Sequence, residues 1–298
     1  MTPIRPAVLG DLPALAALVA RLNADPASQS LHCSAGTPAA VRSLLNDPGN
    51  FPDGWDRAFV VAMGPDGGIV AALGCEYDAD APTGWLWGPW LASEKLWPTL
   101  APGLLEALRT RLPRSVRHLE AFLHVENRSG LNFFRTQGFS AGPATHLYVA
   151  PRRAWKPPAG LAPFSLLRPA HEVAFARLHA ETFPAHGSTP AKLLLEGRDE
   201  EHVIFAATDG LRLLGSVCIS LNRAPLEGFI DYLAVKPLAR GRGIGSQLVH
   251  TALQWAFEVH GLPQVALCVT NWRDDARRLY ERAGFSLQAT GVALRLAW

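Results

Sequence analysis

Cysteine, charge and long apolar runs are all scarce in this sequence, and each scarcity closes off a class of proteins. The four cysteines, at 33, 75, 218 and 268, form no Cys-x-x-Cys pair and no Cys/His ligand spacing, so nothing points to a metal centre. Cys75, Cys218 and Cys268 lie inside apolar runs and read as reduced core residues. Charged residues make up 18% of the chain and leave a formal net charge of +2, without the basic field that nucleic acid binding needs. No run of about 18 apolar residues occurs, and Met1-Thr2-Pro3-Ile4-Arg5-Pro6 has no signal-peptide core. The expectation is a cytoplasmic protein with no metal, no nucleic acid partner and no membrane segment. Its 298 residues, 48% of them apolar, suit two domains of about 150 residues each.

What the sequence does contain is an internal repeat. Ile4-Arg5-Pro6-Ala7 leads to Asp11, read as a helix cap, and to Leu12, Leu15, Leu18, Val19 and Leu22 at helical spacing. Leu167-Arg168-Pro169-Ala170 with Val173, Phe175, Leu178 and Phe183 answers it. Phe59-Val60-Val61-Ala62 with Asp66-Gly67 is answered by Val203-Ile204-Phe205-Ala206 with Asp209-Gly210, each a strand running into a hairpin turn. Gly74-Cys75 matches Gly215-Ser216, Gly84-Trp85-Leu86 matches Gly228-Phe229-Ile230, and Gly138-Phe139 matches Gly284-Phe285. Gly84 to Asn127 and Gly228 to Asn271 both span 43 residues. The first copy carries an insert of about twenty residues within 25–56, rich in Pro, Ser, Asn and Gly and expected as a loop-dominated excursion free to reach toward the other half. The organisation is therefore two tandem α/β units, 1–150 and 166–298, joined by a Pro-rich linker at 151–165.

The chemistry gathers in the second copy. Phe229-Ile230-Asp231-Tyr232-Leu233-Ala234-Val235 reads as a buried strand broken by one Asp, and Lys236-Pro237 ends it because Pro cannot donate to a ladder. Arg240-Gly241-Arg242-Gly243-Ile244-Gly245-Ser246 follows and opens a helix carrying Leu248, Val249, Leu253, Ala256 and Phe257. Alternating glycines before a helix turn the chain tightly and point several N–H groups one way, with the positive helix end behind them. That suits a pyrophosphate, and Arg240 and Arg242 add charge at its mouth. The spacing fails the dinucleotide fingerprint, whose last glycine would fall on Ser246, and a P-loop would need a Lys that is absent. It fits (Gln/Arg)-x-x-Gly-x-(Gly/Ala) in full at Arg240, Gly243 and Gly245. In this the stretch resembles the acyl-CoA pyrophosphate loop of the GNAT acyltransferase superfamily.

The resemblance continues downstream. Residues 264–270 read as another strand, Asn271 follows, and Leu279-Tyr280-Glu281 with Gly284-Phe285 match the superfamily's closing helix. It covers essentially the whole chain, strongly over 203–285 and weakly over 1–150. A silent first half before an active second half is also the organisation of mycothiol synthases; the overlap is in organisation only and carries no acceptor with it. The implied fold class is α/β (α+β), with two tandem GNAT-like domains, each a mixed, mostly antiparallel twisted sheet flanked by helices. The implied activity is an N-acetyltransferase that moves an acetyl group from acetyl-CoA, its co-substrate, to a small-molecule or peptide amine, as a monomer or homodimer. Two other readings stay open: a non-catalytic acyl-CoA sensor or scaffold, and transfer of a longer acyl group.

Roles follow from the same resemblance. The pantetheine arm would pair with Leu233, Ala234 and Val235, and one of their N–H groups would serve the thioester oxygen. Gly241, Arg242, Gly243, Ile244, Gly245 and Ser246 with Arg240 would hold the pyrophosphate, and Asn271 would bond the arm or a water. Tyr280 would return a proton to the thiolate, since a tyrosine of ordinary pKa, roughly 10, is protonated at neutral pH; a plainer reading makes it an amphipathic helix residue. Asp231, on the face of Phe229, and Glu227 at the same parity are candidate bases, against the plainer reading of a structural Asp and an edge Glu. His179, His186, His202 and His250 read as ordinary histidines. At equal spacing Arg240, Gly243 and Gly245 fall on Leu96, Thr99 and Ala101, and, counted from the closing Gly-Phe, Tyr280 falls on Phe134. Pro98 and Pro102 remove donors there, so the first copy is expected to keep the fold and lack the cofactor chemistry. Trp85, Trp87, Trp90 and Trp97 cluster at that vestigial site, either as core or as a substrate surface.

Overall fold

A computed structural model describes residues 3–33, 35–77, 82–161, 165–184, 189–197, 201–210, 212–223, 226–270 and 274–297. Contacts divide the chain into two compact units, Met1–Thr145 with Ala289–Trp298, and His146–Gln288. In the first unit, β1 (Ile4–Pro6), β2 (Phe59–Met63), β3 (Ile69–Tyr77), β4 (Thr83–Leu91) and β5 (His118–His124) follow one another in the sheet, and β11 (Ser286–Ala297) lies beyond β5. Pairing is antiparallel except between β4 and β5. Helices α1 (Leu12–Asn23), α2 (Pro38–Leu45), α3 (Trp55–Ala58), α4 (Trp97–Arg109) and α5 (Arg128–Thr136) belong to this unit.

The second unit repeats the plan. The end of β6 (Ser140–Pro151), then β10 (Gln264–Thr270), β9 (Leu226–Val235), β8 (Arg212–Arg223) and β7 (His202–Asp209) form its sheet in that order, with β9 and β10 parallel. Helices α6 (Glu172–Thr182) and α7 (Pro190–Glu196) pack on one face, and α8 (Ile244–Gln254) and α9 (Asp274–Arg282) on the other. Leu248, Val249, Ala252 and Leu253 form the buried stripe of α8 and meet Val217, Ile219 and Ile230 of the sheet. Each such aliphatic side chain removed from water contributes roughly 1.5–3 kcal/mol. Both expected hairpin turns use a glycine in the left-handed region, Gly67 at φ 77° and Gly210 at φ 60°.

Three expectations change. Asp11 precedes α1 without capping it: its carboxylate takes two hydrogen bonds from Arg5 (2.7 and 2.8 Å) and one from the Val8 N–H (2.9 Å). The insert is more than loop, because Thr37 accepts from the Ala40 N–H at 3.2 Å and Pro38 opens α2, a capping signal hidden in a loop-like composition. Cys268 is exposed, whereas Cys33, Cys75 and Cys218 are buried thiols. On β10 it is Val265, Leu267 and Val269 that face the α8 core, so alternation leaves Cys268 on the opposite face. No helix among the described residues is long and apolar enough to cross a membrane.

Candidate active site

The second unit opens at β9. Strands β8 and β9 pair from Gly215↔Val235 to Cys218↔Tyr232 and again from Ile219↔Ile230 to Arg223↔Leu226, so Asp231 is one residue too many for its partner strand. A bulge of this kind bends a strand and re-aims its side chains. Here Ile230 packs with α8, whereas Tyr232 and Ala234, which simple alternation would place on that face, pack on the α6–α7 side. The parallel pairing of β9 with β10 ends at the same point, running only from Gly228↔Val265 to Ile230↔Leu267 among the described residues. Beyond it, β9 keeps β8 on one edge and leaves the other open. The Lys236 N–H donates to Leu214 O at 2.8 Å, so alternation turns the Ala234 N–H toward β8 and those of Leu233 and Val235 toward the open edge.

A glycine turn follows that open edge. Gly241 (φ 75°) and Gly243 (φ 77°) are left-handed, and a Cβ on either would meet nothing within 4 Å. Their requirement is conformational, not steric. Gly243 is the N-cap of α8 and no side chain caps the helix there. The first intrahelical bond from the loop side is the Gln247 N–H to Gly243 O, 3.0 Å. The N–H groups of Ile244, Gly245 and Ser246 therefore have no carbonyl of their own helix to serve. Arg240 folds back so that its Nε donates to Val235 O at 3.2 Å, and Arg240 and Arg242 are both solvent-exposed.

Helix α9 packs against this first turn of α8: a Cβ on Gly245 would lie 3.7 Å from Leu279 Cδ2. Tyr280 is 7% exposed and its ring meets Phe285 edge-on at 5.8 Å. Gly284 at φ 98° ends the helix and delivers Phe285 to the core. One residue beyond Tyr280, Glu281 accepts a hydrogen bond from the Tyr148 hydroxyl at 3.0 Å; Tyr148, from β6, is 1% exposed. Nothing in the sequence around Tyr148 marked this contact. Asn271 lies outside the described residues, as does His186.

The two carboxylates differ. Gly228 faces Val265 and Leu262, and Ile230 lies in the α8 core, so Glu227, Phe229 and Asp231 share the opposite face. Asp231 keeps solvent access but sits in a concave site lined by Leu193, Glu196, Gly197, His202 and Cys218. Protein crowding around it pushes its pKa up to about 7, against smaller lowering by a hydrogen bond with Ser220 and by His202. Glu227 is buried and its pKa is also raised by burial, while Gln264 Nε2 donates to it at 2.8 Å and Asn222 adds a second hydrogen bond. Glu227 is a held carboxylate, and Asp231 lines a concave, solvent-reached site. Elsewhere, His250 Nδ1 accepts from Trp155 Nε1 at 3.2 Å, and His179 is buried among Phe175, Phe183 and Tyr232.

The first copy has the same parting without the same equipment. Among the described residues, strands β4 and β5 pair only from Thr83↔His118 to Leu86↔Ala121, and β4 bulges where Ala72↔Trp90 gives way to Gly74↔Trp87. At equal spacing Leu233 falls on Pro89, which has no N–H to present to the edge. Helix α4 starts from Leu96 in ordinary helical geometry, with no glycine turn before it. Phe134 is fully buried in place of Tyr280. Trp87 and Trp90 are buried, their Nε1 groups donating to Glu76 (3.1 Å) and Asn23 (3.2 Å), as core residues would. The Pro89 substitution was readable from the spacing alone.

Comparison with known proteins agrees with this geometry. Residues 172–285 match the acetyltransferase (GNAT) family model. A mycothiol acetyltransferase from Rhodococcus jostii (strain RHA1) is 33% identical over 131 residues, which is 39% of this chain and 43% of that protein, so the match spans less than half of the curated relative. A solved GCN5-related N-acetyltransferase from Sphaerobacter thermophilus superposes with a TM-score of 0.71 at 20% identity, covering 99% of this chain and 95% of that one. A tandem GNAT protein from the clavulanic acid biosynthesis pathway superposes with a TM-score of 0.60 at 15% identity, covering 100% and 98%. At those identities the two structures speak for the fold. The family match covers the segment that holds the bulged strand, the glycine turn and Tyr280.

Proposed function

We propose that the second copy is an acetyl-CoA-dependent N-acetyltransferase and that the first copy, residues 1–150, is non-catalytic. The observation that carries this is the parting of β9 from β10 at Ile230↔Leu267, directly before the left-handed Gly241–Gly243 turn and the uncapped start of α8. An open strand edge and a cluster of unserved N–H groups fit the two polar parts of acetyl-CoA, its amide-bearing arm and its pyrophosphate. Leu233 and Val235 would hold the arm, and residues 241–246 with Arg240 or Arg242 the pyrophosphate. Acetyl-CoA, when bound, supplies an acetyl group activated as a thioester.

The chain's own residues supply the rest. An N–H on the open edge of β9 stabilises negative charge on the carbonyl oxygen. Asp231 takes a proton from the acceptor ammonium, for which a carboxyl titrating near neutrality is suited. Tyr280 gives a proton to the departing sulfur. The site's place in a reduced cytoplasm is part of the same proposal. Release of free thiol from acetyl-CoA, measured against a panel of small amines, amine-bearing peptides and mycothiol-related compounds, tests it; the last are included because of the Rhodococcus relative's name. Tyr280→Phe is expected to lower kcat about 100-fold while leaving acetyl-CoA binding in place. Unchanged turnover would remove Tyr280 from the mechanism. Binding without turnover on any amine would favour the acyl-CoA sensor instead.

A further inference from the structure

Near its start, the insert that lengthens the first copy enters that copy's own sheet. Past the parting of β4 and β5, the Leu31 N–H donates to Phe122 O (2.7 Å) and the His124 N–H to Gln29 O (3.2 Å), with Ser30 bridged antiparallel to Leu123. Strand β11 already holds the other edge of β5, from Gly291↔His124 to Ala297↔His118. Gln29–Leu31 therefore lies on the β4 side, in the notch. There the Gly88 N–H of β4 donates to Ser30 Oγ at 3.3 Å. Asn127, which answers Asn271 in the repeat, donates from Nδ2 to Gln29 O at 3.3 Å while its Oδ1 caps α5 by accepting from the Gly130 N–H at 2.9 Å.

Buried Asn23 fastens the segment from the α1 side. It accepts from the Ser30 N–H (2.8 Å) and donates to Cys33 O (2.5 Å). Ser30 and Cys33 are both fully buried. Farther along the insert, Phe51 stacks edge-on against Trp87 at 5.1 Å, and Trp87 stands at the position of Asp231.

We propose that residues 29–31, anchored by the turn to Cys33, are a permanent intrachain occupant of the first copy's notch: main chain bridged to β5 stands where, on the reading above, the acyl-CoA arm lies in the second copy. That reading identifies the notch; the occupancy itself rests on the hydrogen bonds just given. The insert thus makes the first copy a strand-filled unit that accepts backbone and excludes cofactor. Among extended ligands, the notch fits a short peptide strand, and its own chain supplies one.

Hydrogen exchange read by mass spectrometry on the whole chain, with and without acetyl-CoA, tests this. Without ligand, the Leu31 and His124 amides are expected to exchange as slowly as their ladder neighbours. Acetyl-CoA should slow 233–235 and 241–246 and leave 29–33 and 84–91 unchanged. Leu31→Pro, which removes the donor to Phe122, should speed exchange at His124 about tenfold. Exchange of 29–33 at unstructured rates, or a change there when acetyl-CoA is added, would overturn the occupant. Slow exchange at 29–33 with no effect of acetyl-CoA on 233–246 would support the occupant and count against the cofactor reading of the second copy alone.

Discussion

Asp231 occupies the position where β9 has one residue more than β8, and its environment gives two separable predictions. Its folded-state pKa of about 7 lies above the ordinary carboxylate value near 3.9. Between about pH 4 and pH 7 the unfolded chain gives up a proton that the folded chain keeps, so this carboxyl withdraws stability as pH rises through that window. Asp231→Asn should therefore melt higher than the wild type at pH 7.5, with the difference fading by about pH 4; a variant that melts lower at pH 7.5 would show that the carboxylate is structurally needed. In the same variant kcat/KM should fall about 100-fold and lose the limb centred near pH 7. An unchanged pH profile would move the base elsewhere. The carboxylate itself was legible, as an Asp in an apolar strand. Its partners Ser220 and His202 were not, because they come from strands whose register no local pattern encodes.

At the scale of elements, the glycine turn separates conformational from steric demand. Gly243→Ala puts a side chain at φ 77° with open space around it and should cost about 1–2 kcal/mol, read in a denaturant melt. Gly245→Ala makes ordinary contacts at 3.7 Å within the first turn of α8 and should be neutral or slightly stabilising. Equal losses at both positions would mean that the alternating glycines serve packing. The sequence displayed strand, turn and helix here because Pro, Gly and apolar spacing are local signals. The bulge was hidden, since Asp231 becomes an extra residue only against β8. So was the destiny of Gln29–Leu31, whose polar composition resembles a loop and whose hydrogen bonds go to residues about ninety positions away.

For the whole molecule, the repeat was written in spacing, and each of the two units has a sheet with the same parting of parallel strands. What spacing does not carry is pairing across the long range: β11 returns to β5 in the first unit, and β6 ends in the core of the second through Tyr148 and Ala150. The two copies then diverge at a few positions, Leu233 against Pro89, Gly243 against Thr99 and Tyr280 against Phe134. The central claim is that these differences leave one working site per chain. Titration calorimetry with acetyl-CoA on the wild type and on Gly243→Pro, with the fold of the variant checked by circular dichroism, tests it most directly. One site per chain is expected in the wild type and none in the variant. Two sites, or one that survives Gly243→Pro, would contradict it.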